Sequence, residues 1–288
     1  MTEELAAKLR TLADKYEVAS FCDEDPSQFL RWYEPAAGRG TIADVEAASF
    51  IAAMLAFGNR KQFIPKIREI LQTSDRSLGS LSKWLCAGAY KKDFPSGEKK
   101  FYRFYSYDDM QVFFGELAGI LEKSGSLGEY FRGMGLRSIA ARRLAKNSPL
   151  DCFYPASQGR SLGSEQRSAS AGENVPLLYE IVSNSFPKSA IVPKGRASAN
   201  KRVHMYLRWM VRRNSPVDLG LWQWAEPSAL LIPLDVHVMQ EAAKLGLIPE
   251  KATASRKTAE LLTSALNEVF PGDPCRGDFA LFGLGVDK

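Results

Sequence analysis

Apolar positions recur at helical spacing along most of this chain, and the period-two alternation that marks half-buried strands is missing, so strands are expected to be scarce. Residues 3 to 17 fit a first helix. Asp25-Pro26 then supplies a cap and a first-turn proline for a short helix carrying Phe29, Leu30 and Trp32. Thr41 can cap the next helix, Ile42 to Phe57, whose first turn carries Asp44 and Glu46 in favourable register with the helix dipole. Its residues Val45, Ala48, Phe50, Ile51, Ala52, Met54, Leu55 and Phe57 leave no polar face, which predicts a helix at the centre of a core. Gly58 ends it, and a further helix is expected up to Leu71.

The same spacing predicts helices over Leu78 to Cys86, Leu127 to Ala145 and Val175 to Phe186. Ser106 with Asp109 forms a capping-box signal for a helix ending at Lys123. An aromatic cluster, Phe101 to Tyr105, precedes that helix. After Val192 come a basic helix, a helix from Val236 to Leu245 closed by Gly246, one from about Ser255 to Phe270, and the closing string Asp278 to Gly285. The pattern breaks over 151–173, where Ser157, Ser161, Ser164, Ser168, Ser170, Gly159, Gly163 and Gly172 read as a flexible insertion. The fold class that follows is all-α.

Composition adds limits. The 288 residues are long enough for a substantial core, and no apolar run is long enough to span a bilayer. The N-terminus lacks a signal-peptide core, so a cytoplasmic location is expected. Cys22, Cys86, Cys152 and Cys275 are scattered and only two histidines exist, which argues against disulfide frameworks and zinc or iron–sulfur centres. Charge changes the picture more. Seven of the 38 Lys and Arg residues lie between Ile191 and Arg213, a span with no Asp or Glu, so the rest of the chain is slightly acidic. A localised basic stripe is the footprint of a polyanion binder.

Within that stripe Val203, Leu207 and Met210 fall on one helical face, while Lys201, His204, Arg208 and Arg212 fall on the other. The turn Pro193 to Ser198, containing Gly195, can present backbone N–H groups to a phosphate. An amine in the first turn of a helix is suited to nucleophilic attack, because the positive end of the dipole favours its neutral form; equally, Lys201 fits a surface phosphate contact. Asp235 is placed to cap the helix from Val236, a role worth about 1 kcal/mol, and a carboxylate held there can also stabilise a sugar cation or take a proton. His237 beside it can titrate.

A lysine opening a helix after a Gly-containing turn, followed by Pro233-Leu234-Asp235-Val236-His237-Val238, resembles the helix-hairpin-helix DNA glycosylases. The strings Lys201 to Arg212, Ile232 to Val238 and Asp278 to Gly285 more closely resemble an uncharacterised bacterial family related to those enzymes, and the likeness touches most of residues 25 to 285. It implies two interlocked helical lobes in one unit, with Lys201 as nucleophile and Asp235 as its activator in excision of a damaged purine base, with lyase activity as an extension. Double-stranded DNA carrying the damaged base is the implied partner of a monomeric, nucleoid-associated protein. Lys194, Gly195, Arg196, Ser198, Asn200, Arg202, His204 and Arg208, with Asn59, Arg60 and Gln62 on the Gly58 turn, are the implied contacts to DNA. Trp209, Trp222, Trp224 and Phe282 are candidates to stack on a base, although aromatic side chains more commonly fill cores. Where the family's hairpin carries glycines this chain has Ala197 and Ala199, which weighs against the monovalent cation usually held there; no other cofactor is implied. The same departure leaves a second reading open, a glycosylase-derived fold that binds nucleic acid without cleaving it, and a helical scaffold for an acidic protein is a third.

Overall fold

A computed structural model describes residues 1–146 and 178–286; the Ser- and Gly-rich stretch 151–173 lies outside them. Helix α1 (Glu3–Tyr16) is capped by Thr2, which accepts the Leu5 N–H at 3.3 Å. Asp25 caps a 3-10 turn, Pro26–Arg31, which lays Phe29 and Leu30 onto helix α2 (Ile42–Leu55). Thr41 and Asp44 form a reciprocal capping box at the start of α2, and every residue from Asp44 to Leu55 is buried, as an all-round apolar helix requires. Asp44 does more than cap. It also accepts the Ser80 hydroxyl at 2.8 Å and the Ser82 N–H at 2.7 Å, tying the segment that opens the helix at Leu81 to α2.

Helix α3 (Arg60–Leu78) runs a full two turns beyond the expected end at Leu71, because Leu71 and Ser74 still pack inward and no breaker intervenes before Gly79. Short helices α4 (Leu81–Cys86) and α5 (Tyr90–Asp93) lead to the main departure from the expected pattern. The aromatic cluster folds into a two-stranded antiparallel hairpin, β1 (Lys100–Tyr102) and β2 (Tyr105–Ser106), in which Tyr102 pairs with Tyr105. Ser106 and Asp109 then open α6 (Tyr107–Ser124) with the expected capping box, and α7 (Leu127–Lys146) is a single helix.

The described chain resumes with α8 (Leu178–Asn184) and α9 (Lys201–Val211), and ends with α10 (Val236–Lys244), α11 (Arg256–Val269) and α12 (Gly277–Val286). Helix dominates, and the hairpin is the only sheet among the described residues. Buried apolar side chains separate into two clusters. The larger gathers α2 to α9 around Phe50, Phe113, Phe114, Phe186 and Tyr206. The smaller joins α1 from the beginning of the chain to α10, α11 and α12 from its end, through Leu9, Ile232, Leu262 and Leu281. The chain therefore leaves the smaller cluster after α1, touches it at Ala199 and returns to it after Leu230. No helix of the described residues is long and apolar enough to cross a membrane.

Candidate active site

Two helix starts meet where the clusters adjoin. Lys201 is the first residue of α9 and Asp235 the cap of α10, and Lys201 Nζ lies 2.7 Å from Asp235 Oδ2. The other oxygen, Oδ1, accepts the Val238 N–H at 2.9 Å, so the cap and the ion pair occupy different oxygens of one carboxylate. Burial pushes the Asp235 carboxyl up, but the Lys201 ammonium and the Val238 N–H more than offset this and hold it below the usual carboxylate value, with His237 adding in the same sense. Both side chains keep partial access to solvent.

The pair opens into a cleft of about 430 Å³. One wall comes from the larger cluster: Phe57, Phe63 and Met205, with Gly58 and Pro26. The other comes from the C-terminal elements: His237, Val238 and Phe282. Arg60 arches between the walls, with its guanidinium 5.5 Å from the centre of the Phe282 ring and 3.8 Å from Asp25 Oδ2. The cleft is thus an aromatic and aliphatic slot with the Lys201 amine and the Asp235 carboxylate in contact on its surface and a second charged pair, Arg60 and Asp25, elsewhere in its lining. Such a slot suits a flat, mostly apolar group presented to a nucleophile.

Behind the pair the sequence expectation requires correction. The face of α9 that carries His204, Arg208 and Arg212 does not face solvent. Arg208 is 3% exposed, its Nε donates to Asp218 at 3.2 Å, and it also binds Asp278. Arg212 binds Asp218 at 2.7 Å, Asp273 at 2.7 Å and Glu17 at 2.6 Å. Both guanidinium groups lie over the Phe279 ring. These arginines are the charged seam between α9 and the C-terminal elements. A DNA contact by Arg208 is excluded by burial, and two of the stripe's seven cations, Arg208 and Arg212, are consumed inside the protein. Its acidic partners were legible as residues but not as partners, because Glu17, Asp218, Asp273 and Asp278 are scattered along the chain. Burial pushes the Asp278 carboxyl up to about 6, the adjoining Arg208 opposes that shift, and the Asp235 charge adds to it.

His204 is also buried, 4.9 Å from the Tyr179 ring, and burial with the nearby Arg256 charge lowers it to about 4, so it is a neutral core side chain and not a DNA contact. Asn200 is buried too, at φ +42°, and its Nδ2 donates to the Gly195 carbonyl at 2.8 Å. The Ala197 carbonyl accepts the Arg256 N–H at 2.9 Å. Each of these two carbonyls of the turn thus already accepts one protein donor. Arg202 turns back onto the Met54 carbonyl and lies 4.9 Å from the centre of the Phe57 ring at the cleft rim. Lys194 is exposed but donates to the Ser189 carbonyl, and Ser198 accepts the Asn200 N–H at 3.3 Å. Arg196, 3.5 Å from Glu180, keeps its side chain 74% exposed beside the open Gly195.

Asn59 caps α3, and Asn59, Arg60 and Gln62 stand exposed on its first turn, of which Arg60 alone lines the cleft. Of the aromatic candidates, Trp209 and Trp222 are core, Trp224 stacks on Trp222 and is not among the residues lining the cleft, and Phe282 lines the cleft. Sequence reasoning passed over Asp25 and Phe57 as cleft residues and the hairpin beside them, since nothing in their local pattern marks them as other than cap, core and turn. No curated protein and no solved structure matches the chain. Residues 25–287 do match a family described as a protein of unknown function, DUF2400, and the chain belongs to that family.

Proposed function

We propose that this protein excises a damaged purine base from double-stranded DNA, using Lys201 as the nucleophile and Asp235 as its proton acceptor, with the resemblance to helix-hairpin-helix glycosylases as the guide to substrate. The observation that carries the reading is the 2.7 Å contact between the Lys201 amine and the Asp235 carboxylate on the wall of an aromatic cleft. That distance is within reach of direct proton transfer.

The steps balance as follows. Asp235 takes one proton from the Lys201 ammonium, and the freed lone pair bonds to the sugar C1′ as the bond from C1′ to the base nitrogen breaks. The base leaves with the bonding pair and receives the proton from Asp235. A second proton passes from the attached nitrogen through Asp235 to the ring oxygen O4′ as the C1′–O4′ bond opens, which leaves a protonated imine between Lys201 and the sugar. As the proton passes from Asp235 to the departing base, the carboxylate regains its charge and stabilises the positive charge at C1′. Arg60 at the cleft and Arg196 on the turn before α9 are exposed cations that can meet phosphates.

Borohydride trapping on duplexes that each carry one damaged purine tests the reading. Hydride delivery to the imine fixes a covalent protein–DNA adduct, expected with the wild-type chain and abolished in Lys201→Ala. Absence of an adduct on every lesion, with salt-sensitive DNA binding retained, would replace the enzyme by a nucleic-acid binder.

A further inference from the structure

The hairpin β1–β2 ends beside the cleft in a way a plain connection does not need. Pairing of Tyr102 with Tyr105 leaves Arg103 and Phe104 as a two-residue turn. Arg103 is held at φ +50°, a left-handed conformation that residues with a β-carbon seldom adopt and that persists only where the surroundings enforce it. The enforcement is visible. The Tyr102 hydroxyl donates to the Phe57 carbonyl, Arg202 donates to the Tyr105 hydroxyl at 3.3 Å, and Phe101 is wedged between Phe94 and Tyr107. The Arg103 guanidinium fills the space over Gly58, where a β-carbon would come within 2.2 Å of it.

This bracing presents Phe104 outward. At 59% it is the most exposed large hydrophobic side chain among the described residues, and the only aromatic one among the exposed. Its ring lies 5.4 Å from that of Phe57, which lines the cleft that holds Lys201. Arg103 and Arg202 both place their guanidinium groups over the Phe57 ring, the ring that Phe104 adjoins. An apolar ring on a braced tip, beside a base-sized slot whose lining includes Phe57, fits an opened base stack.

We propose that Phe104 enters the DNA duplex beside the target nucleotide and occupies the stack position vacated when that nucleotide turns into the Lys201 cleft. The proposal rests on the reading of the cleft as a nucleotide site. Eversion costs unstacking energy, and a ring that replaces the lost stacking lowers this cost. The bracing of the hairpin matters because a flexible tip would lose part of that gain in ordering itself.

The test uses the full chain and a duplex carrying one 2-aminopurine opposite an abasic-site analogue, with fluorescence reporting loss of stacking. Wild-type protein is expected to raise the signal. Phe104→Ala is expected to reduce the equilibrium for this rise about tenfold, the fold-change that corresponds to about 1.4 kcal/mol. Phe104→Trp keeps it, and single-stranded binding changes little in either variant. Because Phe104 is exposed, the alanine variant should melt with the wild type, which separates the effect from misfolding. A Phe104-dependent rise without any borohydride adduct would overturn the enzyme reading alone, whereas a wild-type protein that produces no rise, or an alanine variant that matches it, overturns the role of Phe104.

Discussion

Lys201 Nζ and Asp235 Oδ2 stand 2.7 Å apart while Asp235 Oδ1 holds the Val238 N–H, so a single carboxylate serves as helix cap and as partner of the amine. The two roles separate by substitution. Asparagine caps about as well as aspartate but carries no charge and accepts no proton, whereas alanine loses both functions. Asp235→Asn is expected to lower adduct formation with damaged duplex by 10²-fold or more, a typical size for a lost acid–base group, while unfolding in urea moves by less than about 0.5 kcal/mol because the pair is partly exposed. Asp235→Ala adds about 1 kcal/mol of destabilisation from the lost cap. The sign with pH follows from the lowered carboxyl. Its contribution is present above the ordinary value of 3.8 and is lost as pH falls through the folded value, so wild type and Asp235→Asn should converge in stability at the acid end. Equal adduct yields from wild type and Asp235→Asn would remove Asp235 from the chemistry.

How much of this was legible follows from the range over which each cause acts. Caps are local, and Thr2, Thr41, Ser106, Asp235 and Ser255 all sit within three residues of the N–H they accept, so helix starts can be read from short strings. The central burial of α2 is equally plain, because its composition leaves no polar face to expose. The role of the α9 arginines was not legible. Amphipathic spacing distinguishes two faces of a helix but does not say that the charged face meets four carboxylates from Glu17 to Asp278. The hairpin was hidden for a different reason. Two strands of three and two residues are too short to display alternation, and both sides of the aromatic run are buried.

Asp218 carries the compensation for that internal charge. It is fully buried and meets both Arg208, at 3.2 Å, and Arg212, at 2.7 Å. Removing it leaves Arg208 with Asp278 alone and Arg212 with Asp273 and Glu17, so the cost is at most the roughly 3–5 kcal/mol typical of breaking a buried pair. Asp218→Ala should therefore unfold at markedly lower urea concentration, while Arg196→Ala, whose side chain is 74% exposed, should change stability by less than about 0.5 kcal/mol. Similar midpoints for the two variants would contradict the buried network.

Gly283 marks where α1 lies against α12. A β-carbon at this position would approach Tyr16 Cδ2 to 2.0 Å, and the clash is with a ring fixed on the facing helix. Gly283→Ala is expected to destabilise by about 1–3 kcal/mol, the usual range for overpacking. Combining it with Tyr16→Ser should restore part of the loss, since the two changes share one space and will not add. Additive thermal shifts would mean that α1 does not pack here.

His204 gives the clearest pH signature. It is 3% exposed, and burial together with the Arg256 charge lowers it to about 4 from an ordinary value of 6.5. The unfolded chain thus takes up a proton on this side chain as pH falls through 6.5, while the folded protein resists until about 4, so stability drains away across that window. At about 1.4 kcal/mol per pH unit the loss approaches roughly 3 kcal/mol at its acid end. Asp278 acts in the opposite sense over a similar range: raised to about 6, it binds its proton in the folded state before the unfolded chain does, so acidification favours folding at that site. The wild-type profile between these values should accordingly be shallow. His204→Phe keeps a ring against Tyr179 and removes one of the two opposing titrations. Its stability relative to wild type should climb steadily as pH is lowered from 6.5 to 4 and then level off. Parallel profiles for the two proteins in urea unfolding across that range would show that His204 gains its proton in the folded chain as readily as in the unfolded one.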